Sequence, residues 1–107
     1  MTKLLYIKAN PKPSAESKTF QIAGAFVKAY QKHDAKAEIT TLDLYQENIR
    51  FLSLNDLNDL AAPRTKVGKS HPVLKYAYQF AEADKYVIAE PMWNLSIPAI
   101  LKAYIDY

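Results

Sequence analysis

The apolar positions of the chain fall into three short runs separated by longer stretches with helical spacing. Lys3-Leu-Leu-Tyr-Ile-Lys-Ala9 is the first run, and its near-unbroken apolar content reads as the central strand of a parallel sheet. The second, Ala37-Glu-Ile-Thr-Thr-Leu-Asp-Leu44, mixes polar with apolar residues and suits a sheet edge. Tyr86-Val-Ile-Ala89, bounded by Lys85 and Glu90, is continuously apolar and reads as a strand buried on both faces.

Between the first two runs, Phe20, Ala23, Val27 and Tyr30 recur at three- and four-residue spacing, with Ile22 and Phe26 alongside. This predicts a helix opened by Ser17-Lys-Thr19 and closed by Lys32-His-Asp-Ala-Lys36. Gly24 inside it costs about 1 kcal/mol relative to Ala, so close packing on the sheet is expected there. Phe51, Leu54, Leu57 and Leu60 predict a short helix near residues 53–60, followed by a mobile basic loop, Arg64-Thr-Lys-Val-Gly-Lys69. This long connection reads equally as an active-site lid or an uninvolved excursion. Ser70-His-Pro72 then starts a helix with Val73, Leu74, Ala77, Phe80 and Ala81 as its buried stripe, and a last helix runs from Ile97 to the C-terminal residue.

The order β, α, β, excursion, α, β, α argues for an α/β protein with right-handed crossovers, a parallel sheet and strand order 2-1-3. At 107 residues, 50% hydrophobic, the chain is one domain at most. No apolar run approaches the ~20 residues that span a bilayer, and Met1-Thr-Lys leads straight into a strand, so a cytoplasmic location without membrane partners is the expectation. There is no Cys, which excludes disulfides, thiolate catalysis and Cys-based zinc sites, and with only His33 and His71 no metal site is expected. The formal charge is +3, but basic and acidic residues are interspersed, which reads as a solvated surface and not as a nucleic-acid patch.

Two stretches carry chemistry. After the first strand, Asn10-Pro-Lys-Pro-Ser-Ala-Glu16 is a loop, and the helix that follows offers unpaired N–H groups and a partial positive charge. Ser17 and Thr19 add hydroxyl donors, and Lys12 or Lys18 a charge. With no Gly-x-Gly-x-x-Gly and no Gly-Lys-Ser/Thr, a monophosphate suits this loop better than a dinucleotide or a nucleoside triphosphate. The plainer alternative is that Ser17 merely caps the helix. Asp43 reads as a solvated turn residue, His33 as a helix-end residue and His71 as a turn residue. After the third strand, Pro91 cannot extend the ladder, so the amides of Met92, Trp93, Asn94 and Leu95 are expected to emerge above the sheet edge, free for a ligand. Ser96 is expected to cap the next helix, with Pro98 in its first turn.

The stretch Pro91-Met-Trp-Asn-Leu-Ser-Ile-Pro-Ala-Ile-Leu-Lys-Ala-Tyr-Ile-Asp106 resembles the isoalloxazine-binding loop and following helix of FMN-dependent NADH azoreductases and their quinone-reductase relatives. The likeness extends to the first strand and its loop, to Leu42-Asp-Leu-Tyr45 and to Ala83-Asp-Lys-Tyr-Val87. It implies a flavodoxin-like three-layer α/β/α fold, of which residues 1–107 form a single, apparently truncated domain with strands 2-1-3 only. The resemblance also implies transfer of hydride from NAD(P)H through FMN to a quinone or azo acceptor, in a homodimer. FMN-phosphate contacts carry over to Ser17, the Lys18 amide and Thr19, with Asn10 where the family often has Ser. Flavin-ring contacts carry over to Pro91, Met92, Trp93, Asn94 and Leu95, the last in place of a more usual Phe. The cofactor carries the reaction, so no acid, base or nucleophile is named. The competing reading is a non-catalytic flavodoxin-like module without bound flavin. With no fourth strand, Tyr86 to Glu90 would form an unpaired edge, for which a second copy of the chain is the expected cover.

Overall fold

The three apolar runs pair into one sheet. In the structure, a computed structural model that describes residues 1–61 and 69–107, strand β1 (Lys3–Lys8) lies between β2 (Glu38–Asp43) and β3 (Lys85–Ala89), all parallel, in the order 2-1-3. Register places Leu5 between Thr40 and Tyr86, and Ile7 between Leu42 and Ile88. Because successive side chains point to opposite faces, β1 builds two cores at once. Leu4 and Tyr6 pack with Phe20, Val27 and Ala89 on one face; Leu5, Ile7 and Ala9 pack with Leu42, Leu44, Tyr76, Leu101 and Tyr104 on the other.

Helix α1 (Lys18–His33) covers the first face, while α3 (Leu74–Glu82) and α4 (Ala99–Ile105) contribute to the second. The result is a three-layer α/β/α arrangement, as the apolar pattern requires. Tyr76, Tyr104 and Tyr107 interleave on that second face, Tyr76 meeting Tyr104 edge-on at 6.2 Å and stacking on Tyr107 at 5.8 Å between centroids. Burial pushes the Tyr104 hydroxyl up to about 12, and burial together with the Glu47 carboxylate does the same for Tyr76.

Helix α2 (Leu54–Ala61) starts on a reciprocal cap: the Ser53 N–H donates to the Asp56 carboxylate at 2.8 Å, and the Asp56 N–H donates to Ser53 Oγ at 3.2 Å. The Arg50 guanidinium grips the same carboxylate with both terminal nitrogens and, with Ser53, holds it well below the usual carboxylate range. Arg50 is fixed in turn by Tyr107, whose hydroxyl accepts from the Arg50 N–H at 2.8 Å and donates to its carbonyl at 2.6 Å. The described part of the excursion is therefore a brace tied to the last residue. The basic loop Arg64–Lys69 falls almost wholly outside the described residues.

Several local expectations change. A Cβ on Gly24 would meet nothing within 4 Å, so this glycine faces open space and no close packing offsets its cost. On α3 the fully buried residues are Val73, at its cap, and Tyr76, whereas Ala81 and Phe80, which stacks on the exposed Tyr86, remain exposed. His71 does more than turn the chain: its Nδ1 accepts from the Val73 N–H at 3.1 Å and its Nε2 lies 3.0 Å from Asp59. Strand β3, expected to be buried on both faces, leaves Ile88 47% exposed and Tyr86 38% exposed, since nothing described packs beyond it.

Candidate functional site

β1 and β3 end side by side, joined by the Ala9 N–H donating to the Ala89 carbonyl at 2.9 Å. Both carbon-terminal strand ends thus open at one end of the sheet, where parallel α/β proteins place their ligands. From the first exit the chain turns at Asn10, whose side-chain oxygen accepts from the Lys12 N–H at 3.0 Å. The same amide reaches Ser17 Oγ at 3.5 Å, so Asn10 and Ser17, both buried, are the two expected residues brought into direct contact.

Ser17 does cap α1. Its Oγ accepts from the Phe20 N–H at 3.1 Å, and its backbone is extended, as a capping residue requires. Capping occupies the lone pairs of this hydroxyl and leaves its proton to give. Among the described residues, the Lys18 and Thr19 N–H groups find no protein acceptor, and the first turn carries no acidic side chain. A helix start with two free amides, two hydroxyls and no carboxylate matches a phosphate monoester in charge and in donors. Lys8, which the pattern of apolar residues hid inside a strand, adds a cation nearby. Its ammonium donates to Ser14 Oγ at 3.0 Å and lies 4.5 Å from the centre of the Phe20 ring.

The second exit is a strained turn. Asn94 and Leu95 have φ of 51° and 62°, and the turn is closed by Trp93 and Ser96, each donating its N–H to the other's carbonyl at 3.0 Å. Two successive positive φ values define a type I′ turn, which favours Asn at its first position and strains Leu at its second. Leu95 is nonetheless 89% exposed, so the strain serves no packing of its own. The closure also takes the Trp93 N–H away from any ligand; Met92, Asn94 and Leu95 keep theirs. Ser96 is spent on this turn and does not cap α4, whose start is Pro98 without a side-chain cap. Pro98 thus precedes the first helical turn, and its carbonyl accepts from Leu101 and Lys102 at 3.0 and 3.2 Å.

Between α1 and the outer side of β3 runs a groove of about 340 Å³ lined by Thr19, Ile22, Phe26, Ile88, Ala89 and Glu90. Glu90 was not singled out by the sequence; one of its carboxylate oxygens is buried with no hydrogen-bond partner among the described residues. Its signal was only that an acidic residue closes an apolar strand. The described residues hold no group of His, Asp and Glu able to bind a metal ion, and no helix of the described residues is long and apolar enough to cross a membrane. The arrangement can therefore bind an anion at α1 and lay a flat polar ring edge against the free amides of Met92, Asn94 and Leu95.

A doubly wound parallel sheet with a ligand loop at each of two adjacent strand ends defines the flavodoxin-like class. The chain matches the flavodoxin-like fold family over residues 2–107 and belongs to it. It is 64% identical over its whole length to the FMN-dependent NADH:quinone oxidoreductase of Caldicellulosiruptor saccharolyticus, and 61% to that of Clostridium beijerinckii, covering 53% and 54% of those proteins. Among solved structures it superposes on an azoreductase from Bacillus anthracis strain Sterne with a TM-score of 0.82 at 36% identity, over 100% of this chain and 55% of that one. An FMN-dependent NADH-azoreductase from the Ames Ancestor strain, solved in complex with FMN, gives 0.82 at 25% identity, over 99% of this chain and 54% of that one. The chain spans about half the length of the curated relatives it matches.

Proposed function

We propose that this chain supplies the phosphate end and one ring-contacting loop of an FMN site in an oxidoreductase that passes hydride from NADH to a quinone or azo acceptor. The observation that carries the reading is the pairing, at adjacent strand ends, of a capped helix start with free amides and an exposed, strained turn with free amides. The relatives named for FMN-dependent NADH:quinone oxidoreduction and azo reduction support it. Bound FMN would supply the electron-transfer chemistry.

The chain's own residues bind and orient. Ser17, the Lys18 amide and Thr19 hold the phosphate, and Asn10 fixes Ser17 through its side-chain amide. Pro91 ends the ladder so that Met92, Asn94 and Leu95 present their N–H groups to the ring edge, while the Trp93 indole, 44% exposed, offers an apolar wall for ring and acceptor. Residues 1–107 act as part of one flavodoxin-like domain, in the cytoplasm, with a second copy as partner and neither nucleic acid nor membrane involved. Titrating the protein into FMN while following flavin fluorescence, then adding NADH and a quinone, tests this. Quenching with quinone-dependent NADH oxidation is expected; no change in either signal at high micromolar protein refutes it and leaves a flavodoxin-like module without flavin.

A further inference from the structure

The two flanks of α1 carry different chemistry. Thr19, Ile22 and Phe26 lie on the flank toward β3, whereas Gln21, Gly24, Ala25 and Lys28, at three- and four-residue spacing, form a stripe on the other flank. Tyr6 and Lys8 of β1 and Ser14 of the following loop face that stripe across an open groove of about 570 Å³. Small-molecule sites are of this size, about 300–1,000 Å³. One end of the groove is held in place by Gln21, whose Nε2 donates to the Ala15 carbonyl at 3.0 Å.

Three observations give the groove its preference. Tyr6 is 7% exposed, and its hydroxyl makes no hydrogen bond among the described residues. Unlike the Tyr104 hydroxyl it is not sealed from solvent, so the groove is its open side. Burial pushes it above the ordinary tyrosine value, which keeps it a donor at neutral pH. Lys8 and Lys28 bring two ammonium groups; no carboxylate lines the groove, and neither lysine has an ion-pair partner among the described residues. Asp43, the register partner of Lys8 on β2, is engaged by the Tyr45 N–H at 3.0 Å. Gly24 supplies space: a Cβ there would meet nothing within 4 Å, so with Ala25 it leaves a bare stretch of helix between Gln21 and Lys28.

An unpartnered buried donor beside two cations selects an anion. Ammonium groups hold phosphate as point charges, and two of them match the charge of nearly −2 that a phosphate monoester carries at neutral pH. A bare anion would leave most of the groove in water, while an organic body seated on Gly24 and Ala25 fills it. We propose that the groove between α1 and β1 binds an organic phosphate monoester of mononucleotide size, with its phosphate on the Tyr6 hydroxyl, Lys8 and Lys28 and its body on Gly24 and Ala25. None of the side chains assigned to flavin binding lines this groove, so the inference stands or falls apart from that reading.

The probe is adenosine monophosphate, titrated into the isotope-labelled 107-residue chain with adenosine and inorganic phosphate as controls. Amide shifts centred on Gly24, Ala25 and Lys28 are expected, saturating at least about 10-fold earlier than with either control. Tyr6→Phe, which removes only the hydroxyl, and Lys28→Ala, at an exposed position, each weaken binding about 10-fold. Gly24→Leu, whose side chain enters open space, abolishes binding and leaves the far-ultraviolet circular dichroism unchanged. Shifts centred on Lys18 and Thr19 instead overturn the proposal, since the monoester then sits at the helix start. Parent-like affinity in any of the three variants overturns it as well, as do equal binding of either control and the absence of shifts at millimolar ligand.

Discussion

Replacing Ser17 separates its two duties, because the structure shows one of them directly. Its Oγ accepts from the Phe20 N–H at 3.1 Å, a helix cap whose loss to Ala costs about 1 kcal/mol of stability. The hydroxyl proton and the free Lys18 and Thr19 amides are what a phosphate would engage. Each charge-assisted hydrogen bond is worth about 1.5–3 kcal/mol, a factor of about 10 to 150 in affinity. Ser17→Ala with Thr19→Ala should therefore weaken FMN by about 100-fold or more while weakening riboflavin, which has no phosphate, only as far as the helix start loosens. Ser17→Asp sharpens the contrast, since Asp caps as well as Ser but sets a carboxylate against the phosphate. It should leave the melting temperature within a few degrees of the parent and still lower FMN affinity. Fluorescence titrations of both flavins, with a melting curve for each variant, give the answer. Equal losses for FMN and riboflavin, or undiminished FMN binding by Ser17→Asp, would refute the assignment of the phosphate to this helix.

Tyr104 is 5% exposed and its hydroxyl has no partner among the described residues, so Tyr104→Phe should stabilise the fold by about 1–2 kcal/mol, read as a higher midpoint in urea. The tyrosines also fix an alkaline limit. With folded values of about 12 against an ordinary 10, Tyr76 and Tyr104 contribute stability that is intact below pH 10 and is lost as pH rises through 12, and Tyr104→Phe should blunt that loss in melting curves. At the acid end the sign reverses: the lowered Asp56 carboxylate contributes above the usual carboxylate range and fails below it, so Asp56→Asn should lower the melting temperature at neutral pH and change little in strong acid. Leu95→Gly should raise stability by about 1 kcal/mol by relieving a φ of 62°, measured by chemical denaturation.

Strand order 2-1-3 was legible because β1 reads as a central strand and β2 as an edge, and both properties are local to the sequence. The cap at Ser17 was legible for the same reason, as the alternative to a phosphate contact: a hydroxyl residue after a proline-rich loop and before an amphipathic run suits a helix start. The unpaired edge at β3 was legible as well, because its residues record the environment of a strand with neighbours on both sides, while the order 2-1-3 supplies only one among the described residues. Ile22 and Phe26 carry the same message. They were read as lying alongside the core-facing stripe of α1, yet the structure leaves them on its rim.

The turn at Trp93–Ser96 was hidden for a different reason. Nothing in Met-Trp-Asn-Leu-Ser announces two positive φ values, since Leu is among the residues least suited to the second. Sequence reasoning therefore gave Ser96 to the following helix, whereas the main chain spends it on closing the turn. An energetically disfavoured residue held in a tight closure and exposed to solvent is informative because it runs against local preference. The helix start at Ser17 obeys every local rule and is readable; the turn at Leu95 breaks one and is not. That contrast locates the stored strain at the Trp93–Ser96 turn and leaves the helix start at Ser17 relaxed; if the turn holds the flavin ring as proposed, Leu95→Gly should weaken riboflavin binding by loosening it even as it stabilises the chain. A variant that gained stability and bound riboflavin as tightly as the parent would show that the strain at Leu95 has no part in holding the ring.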